Sequence, residues 1–319
     1  MAVYTDIGFD ELGAVLAAYD VGAPKSFKGI AEGVENSNFL LQTDRGTFIL
    51  TLYEKRVSAA DLPFFLSLLE HLARKGIACP LPVRTREGAQ AMVVKDRPAA
   101  LLTFLDGLSL SRPRASHCAA AGTALAALHR AGADFAARRA NSLSLTGWRR
   151  IAKSIGARAD SVEAGLAELI ASNLAALEDS WPGDLPTGVI HADLFPDNVL
   201  FMGGKISGLI DFYFACDDFY AYDLAVMINA WCFEPGGRFS RARAQTLIAS
   251  YAKERALSAQ ELAALPILAR GAALRFLLTR LQDWLEHDQT ALVRLKDPRE
   301  FAHHLRFHAQ VQSAAEYGA

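Results

Sequence analysis

The sequence predicts an α+β fold with two lobes: a small antiparallel-sheet N-lobe with one internal helix, and a larger, mainly helical C-lobe. Three observations support this prediction. Short strand-like segments separated by turn residues dominate residues 1–105, long helix-period segments dominate residues 106–319, and a run of polar residues follows a short apolar strand in the second part. We therefore expect two lobes, divided near residue 105, with a cleft between them.

Hydrophobic periodicity and turn residues define the elements of the first lobe. An amphipathic helix is predicted over Asp10–Tyr19, and the internal helix over Asp61–Arg74, with Ser58 as a cap before it and Gly76 at its end. Strands are predicted over residues 26–31, 37–42, 48–53, 89–95 and 99–104. The tetrapeptide Thr43-Asp-Arg-Gly46 is typical of a hairpin turn between the second and third of these strands.

The second lobe is predicted to be helical except near its centre. Helices are expected over residues 117–130, 151–155, 162–177, 223–231, 241–254, 259–285 and 298–315. Between the third and fourth of them lie short apolar strands at Val189-Ile190, at Val199–Phe201 and at Ile206–Ile210, with Gly203-Gly204 as a tight reversal. The last two strands therefore predict a hairpin.

A dense polar motif connects these strands. It reads His191-Ala-Asp193-Leu-Phe-Pro-Asp197-Asn198, and Asp211 ends the last strand. A turn rich in Asp, Pro and Asn is also typical of an ordinary strand connection. Here, however, the hairpin places an amide and two carboxylates in one short structure, which suits metal-assisted phosphoryl transfer: one carboxylate accepts the proton of an attacking hydroxyl, while an amide oxygen and a second carboxylate hold Mg²⁺ on nucleotide phosphates.

Composition and charge are typical of a soluble enzyme and argue against a nucleic-acid-binding protein. Hydrophobic residues make up 51% and charged residues 21% of the 319 residues, as in a soluble enzyme. The formal charge of −2 is spread evenly, because residues 1–105 hold 11 Lys and Arg against 12 Asp and Glu. Without a basic stripe to follow a phosphate backbone, nucleic acid is not expected as a partner.

The cysteines and the hydrophobic runs bear on the compartment. The four cysteines share no metal-ligand or redox spacing, which predicts free thiols in a reducing environment: Cys79, Cys118, Cys216 and Cys232. Asp6, Asp10 and Glu11 interrupt the apolar start of the chain, so no signal peptide is expected. No uninterrupted apolar run reaches the ~18 residues that span a bilayer. We expect a cytoplasmic protein without a membrane partner; the sequence does not fix the oligomeric state, and a homodimer is compatible with it.

The motif and its surroundings resemble the aminoglycoside phosphotransferase/choline kinase branch of the protein-kinase-like fold. The resemblance rests on His191-Ala-Asp193, Asn198 and Asp211, with Leu128-His129 ending a helix. It implies that Asp193 is the catalytic base, that Asn198 and Asp211 bind the metal, and that His191 structures the catalytic loop. ATP and Mg²⁺ are the implied cofactors, with nucleotide binding in the first lobe and catalysis and substrate binding in the second.

Two further sets of residues follow from this resemblance. Asp223, in Tyr222-Asp-Leu-Ala225, matches a position that starts a helix and braces the catalytic loop, although a plain N-cap remains an equally good interpretation. The segment between the first two strands, which by itself is typical of a hairpin turn, would cover the nucleotide phosphates, and the linker between the lobes would contact the nucleotide. The residues expected there are Gly33, Asn36, Ser37 and Asn38 over the phosphates, Ile49 and Leu102 as apolar walls, and the backbone of Thr103 to Leu105 at the adenine edge.

One departure from the family pattern concerns the phosphate clamp. Family members usually carry a Lys or Arg in the third strand, paired to a Glu on the internal helix. Here Thr51 and Phe65 occupy those positions, so both halves of the ion pair are absent together. We expect a displaced cation, Lys28 or Lys55, to serve the phosphates.

Further segments are similar to the bacterial homoserine kinases built on this fold. They are Phe48–Lys55, Pro63–Leu66, Pro80–Val83, Asn229–Glu234 and Leu274–Trp284. A zwitterionic amino acid such as homoserine needs a cation for its carboxylate and an anion for its ammonium. Candidates are Arg275 and Arg280, which lie inside an apolar helix, with Asp217 or Asp218 for the ammonium and Trp231 as a wall. Alternatively, each arginine pairs with an acid such as Asp283 or Glu286, or reaches solvent.

Three alternative functions remain open on the sequence alone. A sibling kinase for choline, ethanolamine, an aminoglycoside or a sugar would use the same motif, but no aromatic cage or acidic groove stands out. A protein kinase is disfavoured, because a Gly-rich loop, an Arg before Asp193 and an Ala-Pro-Glu segment are missing. A catalytically silent nucleotide-binding module would explain the lost ion pair, but Asp193, Asn198 and Asp211 are all present.

Overall fold

The computed structural model describes residues 5–30, 36–54, 58–286 and 295–319. Packing separates the chain into two compact units, the first ending at Asp106 and the second beginning at Gly107. Gly33 and Lys55 lie outside the described residues.

In its described residues, the first unit forms a five-stranded antiparallel sheet with two helices. Its elements are α1 (Phe9–Ala18), β1 (Pro24–Gly29), β2 (Ser37–Thr43), β3 (Thr47–Leu52), α2 (Leu62–Arg74), β4 (Met92–Val94) and β5 (Arg97–Thr103). The strand order is β1-β2-β3-β5-β4. The predicted strand over residues 89–95 is shorter than expected. Ser58 does not cap α2: its hydroxyl accepts a hydrogen bond from the Ala60 N–H at 3.2 Å, and Asp61 is the N-cap residue.

The pleat of this sheet gives its two faces different characters. On one face Phe39, Leu41, Leu50 and Leu101 form a buried core with Val15 of α1. On the other face the strand register aligns one residue from each of four strands, and this row consists of Lys28, Leu40, Ile49 and Leu102. Because side chains alternate along a strand, the second face carries the predicted apolar walls of the nucleotide site together with a lysine.

The second unit contains seven helices and four short strands among its described residues. They are α3 (Ala115–Gly132), α4 (Leu145–Ile155), α5 (Leu166–Ser180), β6 (Thr187–Ile190), β7 (Val199–Met202), β8 (Lys205–Leu209), β9 (Cys216–Phe219), α6 (Tyr220–Trp231), α7 (Arg241–Glu254), α8 (Ala259–Glu286) and α9 (Arg299–His308). The predicted helix over residues 298–315 is wrong at its end, because α9 stops at His308 and Ala314–Tyr317 forms a separate 3₁₀ turn. Likewise α5 starts at Leu166, after Gly165 adopts φ 78°.

Two strand pairs frame the polar motif. β7 and β8 form the predicted hairpin, whereas β6 pairs antiparallel with β9, a strand that the sequence analysis did not predict. The segment Cys216-Asp-Asp-Phe219 contains two residues of low β propensity, so its pattern did not indicate a strand. The motif therefore leaves one strand pair and enters another, which fixes both of its ends.

Helix α8 is apolar on most of its surface. By length and composition it could cross a membrane, but 72% of its most apolar 18-residue stretch is buried within the protein. Gly271 permits this packing, since a Cβ there would lie 2.3 Å from the Trp181 ring. This burial is what the core helix of a soluble protein requires.

Candidate active site

The polar motif forms a tight loop, His191–Asn198, hereafter the motif loop. Ala192 and Asp211 both adopt left-handed backbone conformations, with φ of 62° and 65°. For residues other than glycine this conformation costs on the order of 1 kcal/mol or more, and it persists only where surrounding bonds enforce it. Such positions concentrate at functional sites, and here one precedes Asp193 and the other is the predicted metal ligand.

Asp223, near the start of α6, enforces the conformation of the motif loop. Its fully buried carboxylate accepts the backbone N–H groups of His191 at 2.7 Å and Ala192 at 2.8 Å. Burial acts to raise the pKa of Asp223, but hydrogen bonds from His129 and from the loop outweigh it and hold that pKa below its ordinary value. Asp223 therefore braces the motif loop through both carboxylate oxygens, and its geometry is more than that of a plain N-cap.

A buried polar chain supports Asp223 from behind. His129 Nε2 lies 3.0 Å from the carboxylate, so this nitrogen is the donor and Nδ1 accepts from the Tyr251 hydroxyl at 2.8 Å. Arg255 donates to both Tyr251, at 3.3 Å, and Glu261, at 2.8 Å. Burial lowers the pKa of His129. The chain joins four helices at one carboxylate: α3, α6, α7 and α8.

His191 connects the motif loop to the strand that leads to Asp211. Its Nδ1 accepts the Asp193 N–H at 3.2 Å, so Nε2 carries the proton and donates to the Ile210 carbonyl at 3.0 Å. Burial lowers the pKa of His191, which favours this neutral form, and its ring packs on Phe212 with centroids 4.5 Å apart. A neutral, doubly bonded imidazole suits a structuring role better than proton transfer.

Asp193 and Asn198 are in direct contact. The Asn198 side-chain nitrogen donates to the Asp193 carbonyl at 2.8 Å and to its carboxylate at 3.2 Å, which directs the amide oxygen away from this pair. The Ile210 N–H donates to the Asn198 carbonyl at 3.0 Å, so the residue preceding Asp211 is bonded to the same turn. Asp193 is half-buried and Asp211 is exposed. The structure thus brings these three predicted residues into one assembly.

The donor set fits a hard divalent cation that is held jointly with phosphate. Among the described residues there is no cluster of three His, Cys, Asp or Glu side chains that could hold a metal ion. The protein would instead supply one carboxylate, Asp211, and one amide oxygen, Asn198. Mg²⁺ commonly binds in this way, through one or two protein oxygens plus substrate phosphates and water.

The residues predicted to bind the acceptor substrate have partners inside the protein. Arg275 is only 2% exposed, donates to the Ala192 carbonyl, and lies between the rings of Phe214 and Phe276. Trp231 is fully buried, and its indole N–H donates to the Leu194 carbonyl at 2.8 Å. Both side chains therefore hold the motif loop from within.

Arg280 and Asp217 are also engaged. Arg280 pairs with the Glu300 carboxylate at 2.5 Å. Asp217 accepts from Arg138 at 2.8 Å and from the Arg139 N–H at 2.8 Å, while Asp218 accepts from Asn141 at 2.6 Å. Burial raises the pKa of Asp218. The acceptor-binding roles of these five residues therefore stay predictions.

In the first unit, the polar residues of the predicted phosphate segment are bonded to β3 and to Glu54 just after it. Ser37 donates to Glu54 at 2.7 Å, and the Glu54 N–H donates to Asn36 at 3.4 Å. Thr51, at the position expected for the missing cation, is 2% exposed and donates to Asn38 at 2.8 Å. The position at which the resemblance predicts a cation thus carries a partly buried hydroxyl–amide hydrogen bond.

The predicted adenine contacts lie at the end of β5. The N–H groups of Thr103 and Phe104 donate to the carbonyls of Leu81 and Thr47. Of the three residues predicted to contact the adenine edge, half-buried Leu105 is therefore the candidate N–H donor. Ile49 is half-buried beside buried Leu102, and Lys28 is exposed in the same row.

Three residues that support the site were not predicted from the sequence. His129 was noted only as part of a helix ending, and Tyr251 and Arg255 were not singled out. Their spacing along the chain carries no signal, because His129 and Asp223 are 94 residues apart. The signal that could have identified them is a polar residue on the apolar face of a helix, because a buried polar group requires a hydrogen-bond partner.

Comparisons with known proteins define the class. A model of the phosphotransferase enzyme family matches residues 26–257. An amicoumacin kinase solved with AMP-PNP and Ca²⁺ superimposes with a TM-score of 0.71 over 94% of this chain and 92% of that one, at 16% sequence identity. The chain belongs to the phosphotransferase enzyme family, and the predicted protein-kinase-like α+β fold is confirmed.

Curated relatives match over the full length. The homoserine kinase of Xanthobacter autotrophicus is 60% identical, with 100% of this chain and 99% of that protein covered. The homoserine kinase of Sinorhizobium fredii is 59% identical, with 100% and 98% covered. The predicted small-molecule kinase class and the resemblance to homoserine kinases are confirmed.

Proposed function

We propose that this protein is a homoserine kinase, which transfers the γ-phosphate of ATP to the hydroxyl of L-homoserine in threonine biosynthesis. The full-length similarity to homoserine kinases supports the acceptor. The observation that carries the chemistry is the bonded pair of Asp193 and Asn198, in a loop braced by Asp223. ATP, Mg²⁺ and a cytoplasmic location belong to this proposal.

Asp193 acts as the proton acceptor. Its carboxylate is half-buried, so it is reachable by an alcohol. Its orientation is set by the Asn198 amide on one side and by the His191 imidazole at its backbone N–H on the other. A positioned carboxylate takes the hydroxyl proton as the oxygen attacks phosphorus, a contribution of about 10²–10⁴ in rate for general bases.

Asn198 and Asp211 would hold Mg²⁺ through one amide oxygen and one carboxylate oxygen, and the metal would supply neutralisation of charge on the phosphates. The protein fixes the relative position of these two residues through two hydrogen bonds. The Ile210 N–H donates to the Asn198 carbonyl, and His191 Nε2 donates to the Ile210 carbonyl. Rigid placement of this kind is where most catalysis of phosphoryl transfer originates.

A coupled ADP-release assay tests the proposal. We expect turnover with homoserine and ATP that exceeds turnover with serine or choline, formation of O-phosphohomoserine, and loss of about 10³-fold in kcat for Asp193→Asn. The matched control is Asp184→Asn, which alters an exposed carboxylate in the turn before β6. Preferred turnover of choline or an aminoglycoside would replace the acceptor, and absence of turnover with the whole panel would support a silent nucleotide-binding module.

A further inference from the structure

An exposed ion pair lies at the end of the motif loop. Lys296 Nζ is 2.9 Å from the Asp197 carboxylate, and the two side chains are 51% and 55% exposed. The same ammonium lies 5.4 Å from the centre of the Phe195 ring, which packs edge-on against Phe276. The ring therefore gives the lysine a fixed surface to rest on.

The pair belongs to the same turn as the proton acceptor. The Phe195 N–H donates to the Asp193 carbonyl at 2.8 Å, and the Asn198 N–H donates to the Phe195 carbonyl at 2.9 Å. Asp197 lies inside this turn, four residues after Asp193. Both charges of the pair are thus attached to the structure that positions the chemistry.

Lys296 is exposed, whereas the two candidate arginines of α8 are bonded to other groups of the protein. Arg275 is buried on the Ala192 carbonyl, and Arg280 is bonded to Glu300. An exposed pair of long side chains contributes only about 0–1 kcal/mol, so a competing ligand opens it at little cost. The pair can therefore exchange its internal partner for a charged substrate.

We propose that Lys296 and Asp197 form the receptor for the zwitterionic end of the acceptor amino acid. This rests on the proposed homoserine kinase function. The substrate carboxylate binds Lys296 and the substrate ammonium binds Asp197, so one internal ion pair is exchanged for two with the substrate. Such a receptor favours an α-amino acid as the acceptor.

Two truncated acceptors separate the roles. 4-Hydroxybutyrate lacks the ammonium of homoserine, and 3-aminopropan-1-ol lacks its carboxylate. We expect Lys296→Met to lower kcat/KM for homoserine about 10- to 100-fold and to weaken inhibition by 4-hydroxybutyrate, with inhibition by 3-aminopropan-1-ol unchanged. Asp197→Asn should show the opposite pattern: weaker inhibition by 3-aminopropan-1-ol, and inhibition by 4-hydroxybutyrate that is not weakened.

Arg299→Met is the matched control. It removes a comparably exposed cation three residues from Lys296, whose partner is Asp297 at 2.7 Å, and should leave all three constants unchanged. Equal losses toward both inhibitors in Lys296→Met, or no loss, would overturn the receptor. Absence of homoserine turnover in the unaltered enzyme would instead refute the proposed function itself, so the two failures are distinguishable.

Discussion

The two units hold their candidate functional residues in opposite ways. In the second unit, side chains from α6 and α8 bond the motif loop directly, and His129 of α3 supports Asp223 from behind. In the first unit, the predicted phosphate cation Lys28 is exposed, and Thr51, where a cation was expected, makes a neutral hydrogen bond with Asn38. The candidate catalytic loop of the second unit is therefore held by buried hydrogen bonds, whereas the candidate phosphate cation of the first unit is an exposed side chain.

The largest effect is expected from removal of the Asp223 carboxylate, which holds the motif loop. We expect Asp223→Ala to lower the free energy of unfolding by about 3–5 kcal/mol, because His129 and two loop N–H groups lose a buried anionic partner. Asp223→Asn, which keeps one acceptor oxygen, should be intermediate. Thr51→Ala in the first unit should cost only about 1 kcal/mol. Denaturant unfolding of the three variants measures this, and equal losses for Asp223→Ala and Thr51→Ala would contradict it.

Arg275 tests whether the loop is positioned from within. Arg275→Met leaves the buried Ala192 carbonyl without its donor, a loss of about 1–3 kcal/mol. We expect kcat to fall about 10-fold or more while the KM for ATP stays within about twofold, and Arg275→Lys to restore part of kcat. Arg270→Met is the control, since Arg270 lies on the same helix but bonds Asn173. A similar loss in Arg270→Met would mean that α8 is merely weakened.

Acid should destabilise the second unit through its buried histidines. Burial lowers the pKa of His308 to about 3 and that of His304 to about 2. The unfolded chain protonates these groups near pH 6.5, so their contribution is complete above that pH and is lost as pH falls toward the folded values. At pH 5 the loss is about 2 kcal/mol for each histidine.

Tryptophan fluorescence during denaturation at pH 7.5 and pH 5 measures this effect, because all four tryptophans lie beyond residue 106. His308→Asn should reduce the difference between the two pH values, and His303→Asn, which alters an exposed ring, should not. If both variants kept the full difference, burial of His308 would not be its source.

The smallest expected effect concerns the surface cation. Lys28→Ala should raise the KM for ATP about fivefold, or about 1 kcal/mol, and leave kcat and stability nearly unchanged. Lys25→Ala, three residues earlier on β1, serves as the control. Lys55→Ala is measured beside it, and an unchanged KM in both Lys28→Ala and Lys55→Ala would show that the phosphates are served by another group.

Local patterns predicted most of the fold and the centre of the site. Amphipathic periods located the helices, and the motif with its glycine reversal located the β7–β8 hairpin, because these signals depend on near neighbours in the chain. β9 was missed because its stability comes from pairing with β6 rather than from its own residues. Arg275 was recognised as a charge that needs a partner, but its partner is a backbone carbonyl, which no residue type encodes.

The left-handed Ala192 has a consequence for how activity arises during synthesis. The bonds that enforce it come from Asp223 and from Arg275, the latter 83 residues downstream. A nascent chain that has produced the motif loop still lacks the groups that hold it. A chain that ends before residue 275 therefore lacks one of the two side chains that hold Ala192 in its left-handed conformation.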